Sequence, residues 1–400
     1  MNPLLQSLQP YPFERLRKLF ATVTPSGAYR PISLGIGEPK HPTPEVITQA
    51  LSGAFDGLAQ YPATAGLPAL REACTNWVQK RYGVALDPET QVLPVLGSRE
   101  ALFSIAQAIL NPQERQARVA CPNPFYQIYE GATLLAGAQP IYVASNPDRN
   151  FAVDWHTLPD SDWAMVRMVF VCSPGNPTGA VMNLNEWQWL FDQSDKHGFV
   201  IVSDECYSEI YFGDQPPLGG LEAAHRLGRH DFKRLISLTS LSKRSNAPGL
   251  RSGFAAGDAE ILRGFLQYRT YHGSAMSTSI QMASIAAWND EVHVIENRQQ
   301  YSEKFKAVLP ILTPHLDVRL PDAGFYLWAQ VHASYQNDDT AFARDLYSQY
   351  NVTVLPGSYL AREVDGINPG RGRVRLALVA SVQECVEAAQ RIAHFCSNLK

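Results

Sequence analysis

The segment from residue 240 to residue 251 holds the side chains whose types and spacing are most specific for chemistry. It contains Lys243, with Arg244 beside it and Arg251 shortly after a Pro-Gly turn. The apolar run 235–239 before it predicts a buried strand. A lysine acts as an amine nucleophile only where a desolvated or positively charged setting lowers its pKa. The end of a strand with two arginines nearby is such a setting, although an isolated lysine is more often a solvated surface cation.

Further polar side chains follow the predicted ends of parallel strands. In open α/β sheets, ligands bind in the crevice outside the carboxyl ends of the strands. Each residue also has an ordinary explanation, such as a helix cap, a turn or core packing. Their common placement favours one shared site, formed by Ser98, Tyr126, Asn176, Asp204 and Lys243.

The residue types in this set indicate a phosphate-bearing cofactor with a pyridine ring. Gly97 and Ser98 open a helix directly after a strand, where free N–H groups and the helix dipole hold anions. A carboxylate such as Asp204 keeps a pyridine nitrogen protonated, which makes the ring an electron sink. Arg375 lies on an alternating strand and suits bidentate binding of a substrate carboxylate. We therefore interpret Lys243 as the lysine that binds pyridoxal 5'-phosphate covalently.

The composition of the chain argues against several classes of protein. The chain has 400 residues, of which 45% are hydrophobic and 18% charged, and its formal net charge is −4. It can bury a large core in about two domains, and it gives no electrostatic reason to expect nucleic acid or an anionic membrane as a partner. Six widely spaced cysteines suggest neither a disulfide framework nor a metal site. No secretory signal is recognisable at the start, and a cytoplasmic location is expected.

The order of elements predicts an α/β fold. From residue 92 to residue 239, strand, loop and helix alternate, which favours a mostly parallel sheet covered by helices on both faces. Asn183 and Glu186 have capping-box spacing, and Gly198 is expected to end the same helix.

A smaller α+β domain is expected to follow. A helical stretch over 277–309 should break near 289–290 and end at Pro310. Short strands are predicted at 318–320, 324–329, 352–355 and 373–378, between helices near 340–350 and 382–397. The predicted division is an N-terminal arm with part of the small domain (1–45), a large cofactor-binding domain (46–285) and a small C-terminal domain (286–400).

Three motifs together make the sequence recognisable. They are Ser240-Leu-Ser-Lys243 with Arg251, Ser173-Pro-Gly-Asn-Pro-Thr-Gly179, and Asp204-Glu-Cys-Tyr207. With them the sequence resembles the fold type I pyridoxal-phosphate aminotransferases of the class I/II, aspartate aminotransferase-like group, along essentially its full length. The resemblance implies that Lys243 carries the cofactor and then moves a proton between the substrate α-carbon and the cofactor C4′ atom, while Asp204 pairs with the pyridine nitrogen.

The same resemblance implies the remaining contacts. Asn176 and Tyr207 would hydrogen-bond the cofactor 3′-oxygen, and Tyr126 would stack on its ring. The phosphate would be held by Ser98, the Arg99 backbone, Ser240, Arg251 and Tyr61 of a partner subunit, which implies a homodimer. The substrate α-carboxylate would be bound by Arg375, with Gly37 and Asn176 beside it.

Within this family the sequence is most similar to the N-succinyldiaminopimelate aminotransferases. The matching segments are 36–44, 126–131, 242–249, 269–276 and 287–291. The expected reaction transfers the amino group of glutamate to N-succinyl-2-amino-6-oxopimelate. Because both substrates are anionic, extra cations are expected at the substrate end, with Lys40, His41, Arg269 and His272 as candidates. Ser98-Arg99 departs from the commoner small pair at the start of the phosphate helix.

Three alternatives remain open from the sequence. The first is an aminotransferase of the same fold that acts on aspartate, alanine or aromatic amino acids. The second is a pyridoxal-phosphate β-lyase, which releases pyruvate and ammonia without 2-oxoglutarate. The third is the ligand-sensing half of a transcription regulator, which is disfavoured because Gly37 lies too early to follow a DNA-binding domain.

Overall fold

Helices and apolar strands alternate through the first two thirds of the chain, and a computed structural model describes residues 1–399. The α-helices in chain order are α1 (Pro12–Phe20), α2 (Glu45–Ser52), α3 (Pro68–Tyr82), α4 (Ser98–Ile109), α5 (Ile128–Leu135), α6 (Asp160–Trp163), α7 (Leu184–His197), α8 (Gly220–Arg226), α9 (Leu241–Arg244), α10 (Ala259–His272), α11 (Thr278–Asn289), α12 (Val292–Leu312), α13 (Asp339–Tyr350) and α14 (Val382–Ser397). Within the described residues, no helix has the length and apolar character needed to cross a membrane.

The strands form one large sheet and two small ones. In chain order they are β1 (Ile32–Ser33), β2 (Val92–Val95), β3 (Arg118–Asn123), β4 (Gln139–Asn146), β5 (Ala152–Val153), β6 (Val166–Cys172), β7 (Val200–Asp204), β8 (Leu235–Ser240), β9 (Gly253–Gly257), β10 (Tyr326–Gln330), β11 (Val352–Thr353), β12 (Leu355–Pro356) and β13 (Arg373–Ala377).

The large sheet has the strand order β2-β9-β8-β7-β6-β3-β4-β5. The pairs β8-β7, β7-β6, β6-β3 and β3-β4 are parallel, while β9 and β5 run antiparallel to their neighbours. Separate hydrophobic clusters pack on its two faces. The prediction of a mostly parallel sheet covered on both sides is therefore confirmed. The sequence analysis missed β9, because Gly-Phe-Ala-Ala-Gly lacks the β-branched residues typical of strands.

The small sheets lie in the C-terminal part of the chain. One has the order β10-β13-β12, and the other pairs β1 with β11 in parallel. One hydrophobic cluster joins Ile32 and Leu34 of the N-terminal segment to residues of α12, α13 and α14. The N-terminal strand thus packs with the C-terminal elements, as expected, while the domain boundaries at residues 45 and 285 stay a prediction.

Local capping signals place α7 correctly. The Asn183 side chain accepts from the Glu186 N–H, and the Glu186 side chain accepts in return from the Asn183 N–H. Gly198 follows the helix in the left-handed conformation at φ +82°. Each signal involves groups within one helical turn, so the sequence is sufficient to predict it.

Two predictions about the C-terminal elements are wrong. Pro310 does not end α12, which continues to Leu312. Val308 and Leu312 are buried in the small core, so their packing offsets the hydrogen bond that Pro310 cannot donate. Residues 318–320 form no strand. The break predicted at 289–290 does separate α11 from α12.

Candidate active site

A cavity of about 540 Å³ lies at the carboxyl ends of the central strands. The N-terminal arm forms one wall with Tyr11, Pro12 and Phe13, and the C-terminal elements contribute Tyr326 and Leu360. Of the predicted site residues, the cavity is lined by Gly37, Ser98, Arg99, Tyr126, Asn176, Asp204, Tyr207, Ser240, Lys243, Arg251 and Arg375. Segments separated by more than 300 positions in sequence thus meet around one space.

Lys243 lies on the short helix α9, whereas the sequence predicted a loop. Its Nζ donates a hydrogen bond to the carbonyl oxygen of Gly37 at 2.5 Å. Burial lowers the pKa of Lys243 to about 8, and the positive charges of Arg375 and Arg251 act in the same direction. Roughly a tenth of this amine is therefore uncharged at pH 7, far more than of a solvated lysine, and this favours a role as a nucleophile.

Arg244 does not provide the positive setting that its position next to Lys243 suggested. Its side chain is 1% exposed and points away from the cavity. The guanidinium donates to the carbonyl oxygen of Ala287 at 2.8 Å and lies 4.9 Å from the ring centre of Trp288. The side chains of Lys243 and Arg244 leave α9 in different directions, and only Lys243 lines the cavity.

Asp204 is the last residue of β7 and is 4% exposed. Its Oδ2 accepts a hydrogen bond from the Tyr129 hydroxyl at 2.8 Å, and its Oδ1 accepts one from the Cys206 N–H at 3.3 Å. Burial raises the pKa of Asp204, and these hydrogen bonds oppose the rise. Both donors are neutral, so a cationic ring nitrogen in the cavity would supply the positive charge that the buried carboxylate needs.

Sequence reasoning missed Tyr129 and Cys206. Tyr129 lies one helical turn after Tyr126, and this spacing was the available signal, but its partner is 75 positions away in sequence. The Cys206 thiol donates to the Ser98 hydroxyl at 2.8 Å. Cys206 thereby connects the segment after Asp204 to the first residue of α4.

The start of α4 is shaped to receive an anion. Gly97 precedes it at φ +82°, and a Cβ atom there would lie 2.5 Å from a terminal nitrogen of Arg251. The Arg251 guanidinium donates to the carbonyl oxygens of Leu96 at 3.2 Å and Pro248 at 2.8 Å. These contacts hold a positive charge against the free N–H groups of the first turn of α4.

Arg375 projects from β13 into the same cavity. Its two terminal nitrogens donate to Asn176 Oδ1 and to the carbonyl oxygen of Gly35, each at 2.9 Å. Its Nε is buried and has no partner among the described residues. The guanidinium lies 4.3 Å from the ring centre of Tyr326. A buried guanidinium with an open donor suits a carboxylate ligand.

Gly37 is required by close packing. A Cβ atom at this position would lie 1.9 Å from the hydroxyl oxygen of Tyr326, which in turn hydrogen-bonds the Tyr207 hydroxyl at 3.0 Å. The backbone carbonyl that receives Lys243 therefore lies directly against the aromatic wall of the site.

The remaining predicted residues lie outside the cavity. Tyr61 is fully exposed on this chain. Arg269 is 1% exposed and donates to the carboxylate of Glu100 at 2.6 Å. His41 bonds to Asn297 and Lys304. None of the four cations predicted at the substrate end lines the cavity in this chain, namely Lys40, His41, Arg269 and His272.

The cavity residues fit pyridoxal phosphate. A lysine of lowered pKa, a buried carboxylate without a cationic hydrogen-bond donor, and an arginine against a helix start lie around one space of suitable size. These groups match the aldehyde, the ring nitrogen and the phosphate of the cofactor, respectively.

Comparison with known proteins agrees with this geometry. Residues 29–392 match the family described as aminotransferase class I and II. An LL-diaminopimelate aminotransferase from Dehalococcoides mccartyi is 32% identical over 100% of this chain and 99% of its own length. The crystal structure of an aminotransferase from Neisseria meningitidis is 53% identical, covers 99% of this chain and 100% of its own, and gives a TM-score of 0.95.

A probable N-succinyldiaminopimelate aminotransferase from Thermus thermophilus is 26% identical, covers 98% of this chain and 99% of its own, and gives a TM-score of 0.80. The family match spans most of the chain, and the structural matches extend over nearly all of it. The chain therefore belongs to the class I and II aminotransferases, which depend on pyridoxal phosphate.

Proposed function

We propose that this aminotransferase transfers the amino group of L-glutamate to N-succinyl-2-amino-6-oxopimelate, giving 2-oxoglutarate and N-succinyl-LL-2,6-diaminopimelate for diaminopimelate and lysine biosynthesis. The observation that carries the proposal is the charge of the cavity. Its lining cations are Arg99, Lys243, Arg251 and Arg375, against the acids Glu38 and Asp204. The cofactor phosphate and both substrates are anionic, so this excess of positive charge matches them.

In this proposal the cofactor is held by residues from several segments between positions 98 and 251. Ser98, the Arg99 N–H, Ser240 and Arg251 bind the phosphate. Tyr126 packs on the ring, Asn176 and Tyr207 bind the 3′-oxygen, and Asp204 keeps the ring nitrogen protonated. The contacts from Tyr129 and Cys206 fix the Asp204 carboxylate in one orientation.

Lys243 and Arg375 act on the substrate. Pyridoxal phosphate, when bound, supplies an aldehyde that takes up the amino group and a ring that accepts the electron pair from the substrate α-carbon. Arg375 binds the α-carboxylate, with Asn176 and Gly37 beside it. Lys243 Nζ would hold the cofactor aldehyde in the resting enzyme. Once the substrate amino group has displaced it, the free amine would move a proton between the substrate α-carbon and C4′. Its lowered pKa suits both directions of this transfer near neutral pH.

A homodimer is part of the proposal. Tyr61 is 103% exposed on this chain, and several other large apolar side chains nearby are exposed as well, including Phe55 at 57% and Leu58 at 66%. A second copy would cover this surface, and Tyr61 would reach the phosphate of the partner's site.

A second candidate function follows from the relatives. Several full-length relatives, at 30% to 32% identity, carry the name LL-diaminopimelate aminotransferase. Such an activity would use the same cofactor groups and a substrate without the succinyl group. The two candidates differ only at the distal end of the substrate.

Matched substrates decide between them. The holoenzyme is given 2-oxoglutarate with either N-succinyl-LL-2,6-diaminopimelate or LL-diaminopimelate, and glutamate formation is measured. We expect kcat/KM to be at least about tenfold higher for the succinylated compound, since a site built for a polar group discriminates strongly against its absence. Higher efficiency with LL-diaminopimelate would replace the proposal by the second candidate. Aspartate, alanine and phenylalanine serve as further donors. Release of pyruvate and ammonia from a cysteine-type substrate without 2-oxoglutarate would indicate a β-lyase.

A further inference from the structure

The cavity has four cationic side chains, and three of them already have a role in the proposed reaction. Lys243 carries the cofactor, Arg251 lies against the phosphate cradle, and Arg375 faces the α-carboxylate. Arg99 has none, because only its backbone N–H was expected to serve the phosphate. Its side chain is exposed to the cavity.

Contacts on one side hold the Arg99 side chain in place. Its guanidinium carbon lies 5.4 Å from the ring centre of Tyr11, which lines the same cavity. Burial raises the pKa of Tyr126 and the neighbouring Tyr11 adds to this, whereas the positive charge of Arg99 lowers it. The guanidinium therefore lies beside two tyrosines, while no carboxylate lies within ion-pair distance of it among residues 1–399.

Tyr11 is itself positioned by the N-terminal arm. Arg15 on α1 lies 3.9 Å from the ring centre of Tyr359, and Leu16 is buried in a cluster with Trp328 and Leu360. These contacts fix the start of α1 against the C-terminal elements. The wall that carries Tyr11 is thus part of the folded core.

Arg99 and Arg375 lie beside different tyrosines that line the cavity, Arg99 beside Tyr11 and Arg375 beside Tyr326. Tyr326 contacts Arg375 at 4.3 Å. Burial raises the pKa of Tyr326, and Tyr11 is near enough to add to this rise. The path from Arg375 to Arg99 thus runs past Tyr326 and Tyr11. A substrate that meets Arg375 with its α-carboxylate and Arg99 with a second carboxylate must therefore extend past both rings.

We propose that Arg99 binds the terminal carboxylate of the acyl group of a long substrate, and that this residue selects a succinylated amino acid over one with a free distal amine. A distal ammonium group at the same place would be repelled, because like charges at short range are unfavourable. This inference rests on the proposed function, which names the succinylated substrate. Arg99, which lines the cavity, thus takes the role that the sequence analysis assigned to four other cations.

Two unreactive probes test the site directly. The first probe, N-succinyl-6-aminohexanoate, carries a carboxylate at each end. The chain between these carboxylates is as long as the chain that joins the α-carboxylate and the succinyl carboxylate of the proposed substrate. N-butyryl-6-aminohexanoate has the same length and ends in a methyl group. Neither carries a reactive amine or ketone, so calorimetry on the cofactor-loaded enzyme measures binding alone.

We expect the wild type to bind the succinyl probe at least about fivefold more tightly than the butyryl probe, since an arginine–carboxylate pair at a partly exposed site is worth this much. R99Q should remove the preference, and R99K should keep part of it, because lysine retains the charge without the bidentate geometry. R263Q is the matched control on an exposed arginine of α10, and it should behave as wild type. Equal affinity for both probes in the wild type, or an unchanged preference in R99Q, would overturn the assignment.

Turnover separates this inference from the proposed function. In R99Q we expect a KM increase for N-succinyl-LL-2,6-diaminopimelate of at least about fivefold with little change in kcat, since Arg99 binds a group remote from the reacting carbon. The KM for glutamate should change less than about twofold, because the proposal gives Arg99 a role only toward the acyl carboxylate, which glutamate lacks. A wild type that prefers the succinyl probe but does not turn over the succinylated substrate would refute the proposed function alone. Turnover that R99Q leaves unchanged would refute the role of Arg99 alone.

Discussion

At the scale of single residues, the carboxylate of Asp204 shows how the fold adjusts a functional group. The side chain is buried, which by itself favours the protonated form. The hydroxyl of Tyr129 and the backbone of Cys206 donate to its two oxygens and favour the charged form. The carboxylate can keep a facing ring nitrogen protonated only while it is itself ionised. Tyr129 thus supports the cofactor without touching the substrate.

Y129F tests this role. We expect kcat to fall by roughly tenfold or more, because a hydrogen bond to a buried charged group contributes about 1.5–3 kcal/mol. The absorbance of the lysine-bound cofactor changes with pH, and the midpoint of this change should also shift. The reason is that the ring nitrogen then faces a less stabilised carboxylate.

Y335F is the matched control for this substitution. The Tyr335 hydroxyl donates to Asp345 Oδ2 at 3.0 Å, outside the residues that line the cavity. It should leave both readouts at the wild-type value. A Y129F enzyme with wild-type kcat and an unshifted spectrum would show that the Tyr129 hydroxyl does not support Asp204.

At the scale of elements, α12 positions the helix that carries Lys243. The Asn297 side chain donates to the carbonyl oxygens of Lys243 at 3.1 Å and Arg244 at 3.3 Å, so it caps the end of α9. Its Oδ1 atom lies 2.9 Å from His41 Nδ1, and His41 Nε2 lies 2.6 Å from Lys304 Nζ. His41 thus connects α12 to the segment before α2 and does not line the cavity, and burial, with the nearby charge of Lys304, lowers its pKa.

The buried Lys304 predicts a pH-dependent stability. Burial lowers its pKa to about 8, with the Cys385 thiol opposing and Lys40 reinforcing the shift. A lysine in the unfolded chain has a pKa of about 10.4. Between about pH 8 and this value, the unfolded chain therefore binds more protons at this site than the folded protein does. The free energy of unfolding contributed by this group therefore rises as the pH increases from about 8 to about 10.4.

K304M removes this dependence. Urea unfolding of wild type and variant at pH 7.5 and at pH 9.5 should show the wild type gaining stability relative to K304M at the higher pH. K18M is the control, since the Lys18 side chain is 68% exposed. The lowered pKa would be contradicted if the free energies of unfolding of wild type and K304M differed by the same amount at both pH values.

The sequence predicts those features of the site that depend on neighbouring residues, and it does not predict contacts between residues far apart in the chain. The capping box of α7 and the placement of Asp204 at a strand end follow from local pattern, and both predictions hold. The contact of Tyr129 with Asp204 depends on how two distant segments pack. The direction of a long side chain is also not encoded locally. For this reason Arg269, expected at the substrate end, instead pairs with Glu100 inside the protein.

At the scale of the whole molecule, three parts of the chain enclose the cavity, and a fourth contribution is proposed from a second copy. The large sheet supplies Asp204, and helix α9, which follows its strand β8, supplies Lys243. The C-terminal elements supply Arg375, and the N-terminal arm supplies Tyr11. Tyr61 lies on the exposed surface outside this enclosure. If Tyr61 completes the phosphate site of a partner subunit, each site of the dimer depends on both chains.

Mixing two defective variants tests that dependence. K243A should fold but have negligible turnover, since no other amine carries the cofactor, and Y61A should be impaired through weaker cofactor binding. In a mixed dimer, one site carries both changes, while the other combines Lys243 from the Y61A chain with Tyr61 from the K243A chain and is intact. Random mixing should therefore restore about a quarter of the wild-type sites at cofactor concentrations where Y61A alone is mostly empty. Activity of the refolded mixture that equals the average of the two separate variants would show that each site is built from one chain, and would remove Tyr61 from the cofactor site.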